Sequence, residues 1–205
     1  MANEPVPEAV EVPAWLLPDE PVAVRLMNTI WADRHGVHDS LRAPKDLAEW
    51  LRLVGVTAGT VRVTDAEFKV GRTMRDALRR LAALLTEDSR PAAASALNDV
   101  AVAIRSVNSL ARTAPGPMMR LGQGLLARDM SSRGRTGREA LAAVASESVD
   151  FLTGSDASLL RACYAPGCVL YFVKDHPRRE WCSTACGNRA RAARHYARHR
   201  VTDRQ

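Results

Sequence analysis

Cys163-Tyr-Ala-Pro-Gly-Cys168 and Cys182-Ser-Thr-Ala-Cys186-Gly187-Asn188-Arg189 are the stretches that decide how this chain is built. Thirteen residues separate the two cysteine pairs. That spacing is the spacing of a tetrahedral zinc site, in which four thiolates stand about 2.3 Å from the ion. Pro166 and Gly167 suit a tight turn inside the first pair. Cys182 and Cys186 lie four residues apart and so share one face at the start of a helix. Between the pairs, Val169 to Val173 reads as a strand and Asp175 to Pro177 as a turn, with Glu180 and Trp181 leading into the second pair. Turn, hairpin and helix in that order give a treble-clef-like finger. About 40 residues bury too little apolar surface to fold unaided. One structural Zn2+ is therefore expected, contributing on the order of 10 to 16 kcal/mol of folding free energy in peptides of this kind. Four thiolates leave no position for water, which argues against a catalytic zinc. Two other arrangements use the same residues: four buried free thiols, or a mixed site of one cysteine pair with His195 and His199, which leaves two thiols exposed.

Downstream of Cys186 the chain has high helix propensity and almost no acid. Arg191, Arg194 and Arg198 follow the three-and-four spacing of one helical stripe, His195 and His199 adjoin it, and Arg189 and Arg200 widen the basic surface. Between Glu180 and Asp203 there is no Asp or Glu, so these arginines have no local partners. The net charge of +6 is concentrated here: from Arg161 onward there are ten Lys or Arg against three acids, leaving 19 basic and 20 acidic residues for the first 160. Such asymmetry suggests a polyanionic partner. A helix of this kind, its first turn pinned by zinc, fits along phosphates or in the DNA major groove, where arginine pairs with guanine. The alternative is a solvated helix with cations near its C-terminus.

Upstream, residues 1–21 hold five prolines and the acids Glu4, Glu8, Glu11, Asp19 and Glu20 with no basic residue, the reverse of a secretory leader. They read as a flexible arm. No apolar run approaches the roughly 20 residues that span a bilayer. A cytoplasmic protein is expected, and in that reducing compartment clustered cysteines point to metal rather than to disulfides.

From residue 22 to about 155 the periodicity is mainly helical. A first helix starts at Pro21 or Val22, with Val22, Leu26, Thr29 and Ile30 at helical spacing and Gly36 as its end. Asp46 to Val54 gives a second, stopped by Gly55. Thr64 and Glu67 form a capping box ahead of a long helix with Phe68, Gly71, Leu78, Leu81 and Leu85 inward. After Pro91, Leu97, Val100, Ile104, Val107 and Ala111 mark another helix, and Leu141 to Leu152 a last one closed by Gly154. Glycines at 116, 122, 124 and 134 favour a small β-hairpin or an irregular loop in the region 115–135. The fold class is thus mainly α, a helical N-terminal domain with a small β-hairpin, followed by the finger. Trp31 and Trp50 read as core residues, His35 and His38 as a solvated loop pair, and Arg133, Arg135 and Arg138 as an exposed loop cluster. No paired acid and base, no nucleophile motif and no dinucleotide loop can be assembled, so no catalytic residue is assigned and no enzyme is expected. The periodicity assigns no small-molecule ligand to the helical domain.

Trp181-Cys182-Ser183 followed by Cys186-Gly187-Asn188-Arg189 resembles the signature of the CGNR zinc finger family. In that family the finger commonly follows a helical ABATE domain, associated with stress-induced transcription regulation. Leu26-Met27-Asn28-Thr29, Asp39-Ser40-Leu41, Asp46-Leu47-Ala48-Glu49-Trp50-Leu51 and Leu97-Asn98 resemble that domain in the same order. The resemblance divides the chain into an arm over 1–21, an ABATE-like domain over 22–155 and a CGNR-type finger over 159–202. It implies that Cys163, Cys168, Cys182 and Cys186 are the ligands and that the finger binds DNA in a bacterial transcriptional regulator. One departure is visible: the family's second pair often has four intervening residues, whereas Ser183, Thr184 and Ala185 make three. One residue turns a helix by about 100° and so changes where the arginines point. Asn188 and Arg189 also suit a structural role around the cysteine turn. The expectation is a DNA-binding regulator contacting nucleic acid through Arg189, Arg191, Arg194, Arg198 and Arg200. RNA, which arginine-rich helices also fit, and an acidic protein partner are the alternatives.

Overall fold

In the computed structural model, residues 13–202 are described except 14, 58, 92–93, 115–117, 123–124 and 130–134. The expected arm over 1–21 therefore lies outside the described residues up to residue 12 and again at residue 14. Its remainder packs onto the body: Leu16 is fully buried and Glu20 nearly so.

The first helix is much shorter than its apolar spacing predicts. Helix α1 (Val22–Met27) ends at Asn28, and the chain turns into a hairpin, β1 (Ile30–Asp33) and β2 (Gly36–Asp39). Register pairs Trp31 with His38 and Asp33 with Gly36. The helical spacing of Thr29 and Ile30 is overridden because the Asn28 side chain is held by a distant strand and the residues from Ile30 on pair as a hairpin instead. Thr29 Oγ1 donates back to the Leu26 carbonyl, and Asn28 reaches a distant strand. Gly36, at φ +123°, serves the hairpin turn rather than a helix stop. Asp33 Oδ1 closes that turn by accepting from the His35 N–H at 2.7 Å and pairing with His38 Nε2 at 2.7 Å. His38 also stacks on Trp31, ring centroids 4.4 Å apart. It is a cross-strand partner, not half of a loose solvated pair.

Helix α2 (Pro44–Leu53) begins two residues before the expected Asp46, whose Oδ2 accepts from the backbone of Arg42 and Ala43. Helix α3 (Asp65–Leu85) starts at the expected capping box. Thr64 Oγ1 accepts from Glu67 N–H, and Glu67 Oε2 accepts from Thr64 N–H at 2.8 Å. Helix α4 (Val100–Ala111) is capped by Asp99, later than the apolar run after Pro91 suggested, and leaves Ile104 exposed. Strands β3 (Met118–Gly122) and β4 (Leu125–Asp129) pair antiparallel where a hairpin was one of two expectations. Arg135 and Arg138 are exposed, whereas Arg133 lies outside the described residues. Helix α5 (Gly137–Thr153) is the centre: Ala140, Leu141, Ala142, Ala143, Val144 and Ala145 are all buried, as in a helix covered on every side. Helices α1, α3 and α4 pack around it, and α2 approaches α3 closely enough that a Cβ on Gly71 would stand 2.7 Å from Leu47.

A 3-10 turn (Ser155–Leu159) leads into β5 (Leu160–Ala162), β6 (Tyr171–Val173) and α6 (Thr184–Thr202). Strand β6 begins two residues later than the apolar run, because the Leu170 carbonyl closes the first cysteine turn and the Val169 carbonyl is taken by Arg79. Leu160, Ala162 and Tyr171 are members of the same apolar core as α1, α3 and α5. The finger is thus built onto the helices rather than strung behind them. Among the described residues there are three two-stranded sheets, two of them in the helical part where one was expected.

Candidate metal centre and basic helix

The local chain explains how four cysteines converge. Gly167, at φ +73°, makes the turn between Cys163 and Cys168, and the Cys163 N–H bonds the Leu170 carbonyl to close it. Ser183 caps α6: its Oγ accepts from Cys186 N–H at 3.3 Å, and Cys182, just ahead of the cap, sets its sulfur beside that of Cys186 in the first turn. The four sulfurs all lie within 4.8 Å of one another and every cysteine is buried. Cys168 and Cys182 Sγ are 3.8 Å apart, Cys182 and Cys186 3.4 Å. A zinc tetrahedron with bonds of about 2.3 Å has edges of about 3.8 Å, so the donor set fits the ion in number, chemistry and size. The finger holds one structural Zn2+ on Cys163, Cys168, Cys182 and Cys186. His195 is exposed on α6, away from this cluster.

Hydrogen bonding with Cys163, then with Cys168 and Cys182, and finally with Arg189 holds the Cys186 thiol far below its ordinary pKa. Cys163 is pulled down to about 7, chiefly by Cys168.

Each of the three residues after Cys186 has a physical task. Gly187 lets Trp181 lie over the first turn of α6; a Cβ there would stand 3.1 Å from Trp181 Cδ1. Asn188 Oδ1 accepts from Arg191 Nη2 at 2.5 Å. Arg189 donates through Nη2 to Cys186 Sγ at 2.9 Å, so it faces the thiolates. Arg194 lies 5.7 Å from the Trp181 ring. From Arg191 to Arg198 every residue is exposed, including Arg191, Arg194, Arg198 and the large apolar Tyr196. Arg200 lies on the same helix, but its side chain is outside the described residues.

Sequence reasoning missed the residues that fix the finger to the helices. Asn28, fully buried, donates Nδ2–H to the Tyr171 carbonyl and accepts the Tyr171 N–H on Oδ1, both at 2.9 Å. It stands in for a neighbouring strand. Glu20 accepts from Val173 N–H at 2.8 Å and from Arg179 Nη2 at 2.6 Å. Burial pushes the Glu20 carboxyl up, and the Val173 N–H and Arg179 pull it back without cancelling the shift. Arg179, less buried, is instead shifted up by Glu20 and Asp175. The two bonds Glu20 accepts, one from a guanidinium, favour the ionised pair. Arg79, 2% exposed, donates to the carbonyls of Met27 and Val169 and faces the Tyr171 ring at 5.3 Å. Arg90 donates to the carbonyls of Cys163 and Cys168. Of the side chains that make these bonds, Asn28 belongs to a string that the sequence singled out and Glu20 reads there only as one of the acids of the arm, while Arg79, Arg90 and Arg179 carry no signal of this role.

No helix among the described residues is long and apolar enough to cross a membrane. The chain matches no curated protein. Two family models match it in succession: residues 20–155 match the ABATE domain, described as a putative stress-induced transcription regulator, and residues 160–199 match the CGNR zinc finger. Since the first alone covers well over half of the sequence, the chain belongs to the ABATE family and carries the CGNR zinc finger at its C-terminal side.

Proposed function

We propose that the protein is a non-enzymatic transcriptional regulator that binds duplex DNA through α6. The observation that carries this reading is the exposed basic helix itself. Its first turn is pinned by the cysteines, every residue from Arg191 to Arg198 is exposed, and the sequence supplies no acid between Glu180 and Asp203. Arg191, Arg194 and Arg198 share one face of the helix, and Arg200 adds charge further along. Arg189 has another task, because its guanidinium is bound to Cys186. Contacts of this kind position a helix on phosphates and release counterions.

Four such arginines give a slope of about −3 to −4 for log affinity against log salt on duplex DNA. Fluorescence anisotropy with a labelled duplex at several salt concentrations measures it. A flat dependence, or a titration in which structured RNA outcompetes duplex DNA, overturns the reading. An acidic protein partner that remains bound after nuclease treatment and competes with DNA for the arginines does so too.

A further inference from the structure

The first knuckle of the finger rests on a side chain from the helical part of the chain. Arg90 Nη1 donates to the carbonyl of Cys163 and, at 2.7 Å, to that of Cys168. Its Nε and Nη2 are each held at 2.8 Å by the two oxygens of Asp88. The Asp88 side chain is fully buried and also accepts the Tyr171 hydroxyl at 3.0 Å. Burial works against the Asp88 charge, but hydrogen bonds from Arg90 and Tyr171 outweigh it and leave the carboxyl below its ordinary pKa.

The end of α3 places this pair. Glu87 takes φ +52°, the Asp88 N–H returns to the Ala83 carbonyl, and the Glu87 N–H approaches Leu84. That is a Schellman stop with a glutamate where glycine is usual. It turns the chain so that Asp88 and Arg90 meet the finger.

A Zn2+ on four thiolates carries a net charge of −2, and among the described residues the guanidiniums of Arg90, Arg179 and Arg189 all contact ligand cysteines, Arg179 through the Cys182 carbonyl at 3.3 Å. Arg189 contacts a ligand sulfur from within the finger. Arg90 contacts two ligand carbonyls from 73 residues upstream of Cys163. We infer that Arg90 is a positioning residue for the metal, and that through it zinc occupancy and the packing of the α3 turn form one coupled equilibrium. The knuckle keeps its ligand geometry because its carbonyls are anchored to Arg90. Arg90 in turn keeps its place because Asp88 and Tyr171 close the ring around it. Coupling between sites is reciprocal: the factor by which the braced α3 turn tightens zinc is the factor by which zinc stabilises that turn. This inference does not depend on what α6 binds.

The test uses the full chain, with zinc affinity measured by competition against a chromogenic chelator and backbone protection by hydrogen exchange. Removing an outer contact to a metal site weakens the metal by about 10- to 100-fold. Arg90→Ala is expected to fall in that range with its far-ultraviolet circular dichroism unchanged, whereas Arg161→Ala, which removes an exposed finger charge, keeps wild-type affinity. Arg90→Lys keeps the charge but cannot hold two carbonyls and both Asp88 oxygens together, so it falls between wild type and Arg90→Ala. Chelating zinc from the wild type is expected to raise exchange at residues 84–91 and around Asn28. Wild-type zinc affinity in Arg90→Ala, or unchanged exchange at 84–91 on chelation, overturns the inference. Should Arg90→Ala fail to fold, wild-type affinity in Arg90→Lys overturns it equally.

Discussion

Replacing Asn28 by alanine tests whether the finger and the helices are one body. Asn28 bonds both backbone groups of Tyr171 at 2.9 Å, and both residues are fully buried, so water cannot take its place. The substitution orphans an N–H and a carbonyl, each costing about 1 to 3 kcal/mol when left unpaired out of water. The expected loss is therefore roughly 2 to 6 kcal/mol, a large share of the 5 to 15 kcal/mol typical of a whole domain. Guanidinium denaturation of the zinc-loaded protein, followed by tryptophan fluorescence and circular dichroism, gives the midpoint and slope. Stability lost from folded-state contacts alone lowers the midpoint at constant slope. Asn28→Asp separates bonding from volume. It keeps the acceptor for the Tyr171 N–H but sets a carboxylate against the Tyr171 carbonyl, so it should lose at least as much. A loss below about 0.5 kcal/mol in Asn28→Ala, the size of an ordinary surface substitution, would refute the reasoning.

Other predictions concern single features. Arg194→Ala and Arg198→Ala should each weaken duplex binding and reduce the salt slope by about 1, while Arg62→Ala on the helical part leaves both unchanged; equal effects from all three would make α6 no more than one part of a diffuse positive surface. Glu87→Gly relieves a left-handed φ of +52° and should stabilise the protein by about 0.5 to 1 kcal/mol after the extra freedom of glycine in the unfolded chain is counted. A lower denaturation midpoint in that variant would show that the Glu87 side chain contributes more than its backbone costs. The hydrogen bond from the Thr64 N–H, more than any other contact, holds the Glu67 carboxyl below its ordinary value of 4.5. A depressed acid stabilises the folded state above its unfolded pKa and loses that contribution as pH falls through its folded one. The stability difference between wild type and Glu67→Gln should therefore be constant above about pH 4.5 and shrink in more acid solution; a difference that grows on acidification contradicts the capping-box assignment.

The metal centre was legible in the sequence because its ligands are local: two short turns carry all four cysteines, and spacing encodes that geometry. The α3 start was legible for the same reason, Thr64 and Glu67 being three residues apart. What spacing could not show was any bond whose ends are far apart in the chain. The run Val22, Leu26, Thr29, Ile30 satisfies a helix, yet Asn28 is needed by Tyr171, 143 residues away, and the helix yields to that bond. Arg75 and Arg79 are not among the inward positions that the apolar spacing marks on α3, yet they are 1% and 2% exposed. Asp39, 2.6 Å from Arg75, and the carbonyls facing Arg79 satisfy them, and no periodicity announces such partners. Arg189 is a case the sequence leaves open between nucleic-acid contact and a structural role at the cysteine turn, because the two look alike in sequence, and the 2.9 Å contact with Cys186 favours the second.

These braces bear directly on how α6 would meet a duplex. Zinc fixes α6 within the finger, but its direction relative to the molecule depends on what fixes the finger. Asn28 grips β6 by its backbone, Glu20 grips Val173 and Arg179, Arg79 reaches Val169, and Arg90 holds the knuckle. They approach from three parts of the helical unit: the approach to α1, its C-terminal end, and α3 with the turn that follows it. Rotating the finger about any one of them breaks the others, each a bond to a buried or half-buried group. Folding has thus already restricted the orientation of α6, so binding through it need not lose that freedom a second time. A short row of arginines can then suffice where a finger on a loose linker would need more contacts. The same rigidity makes α6 answerable to the α3 turn, because a change that displaces Asp88 and Arg90 must tilt the knuckle or break its bonds.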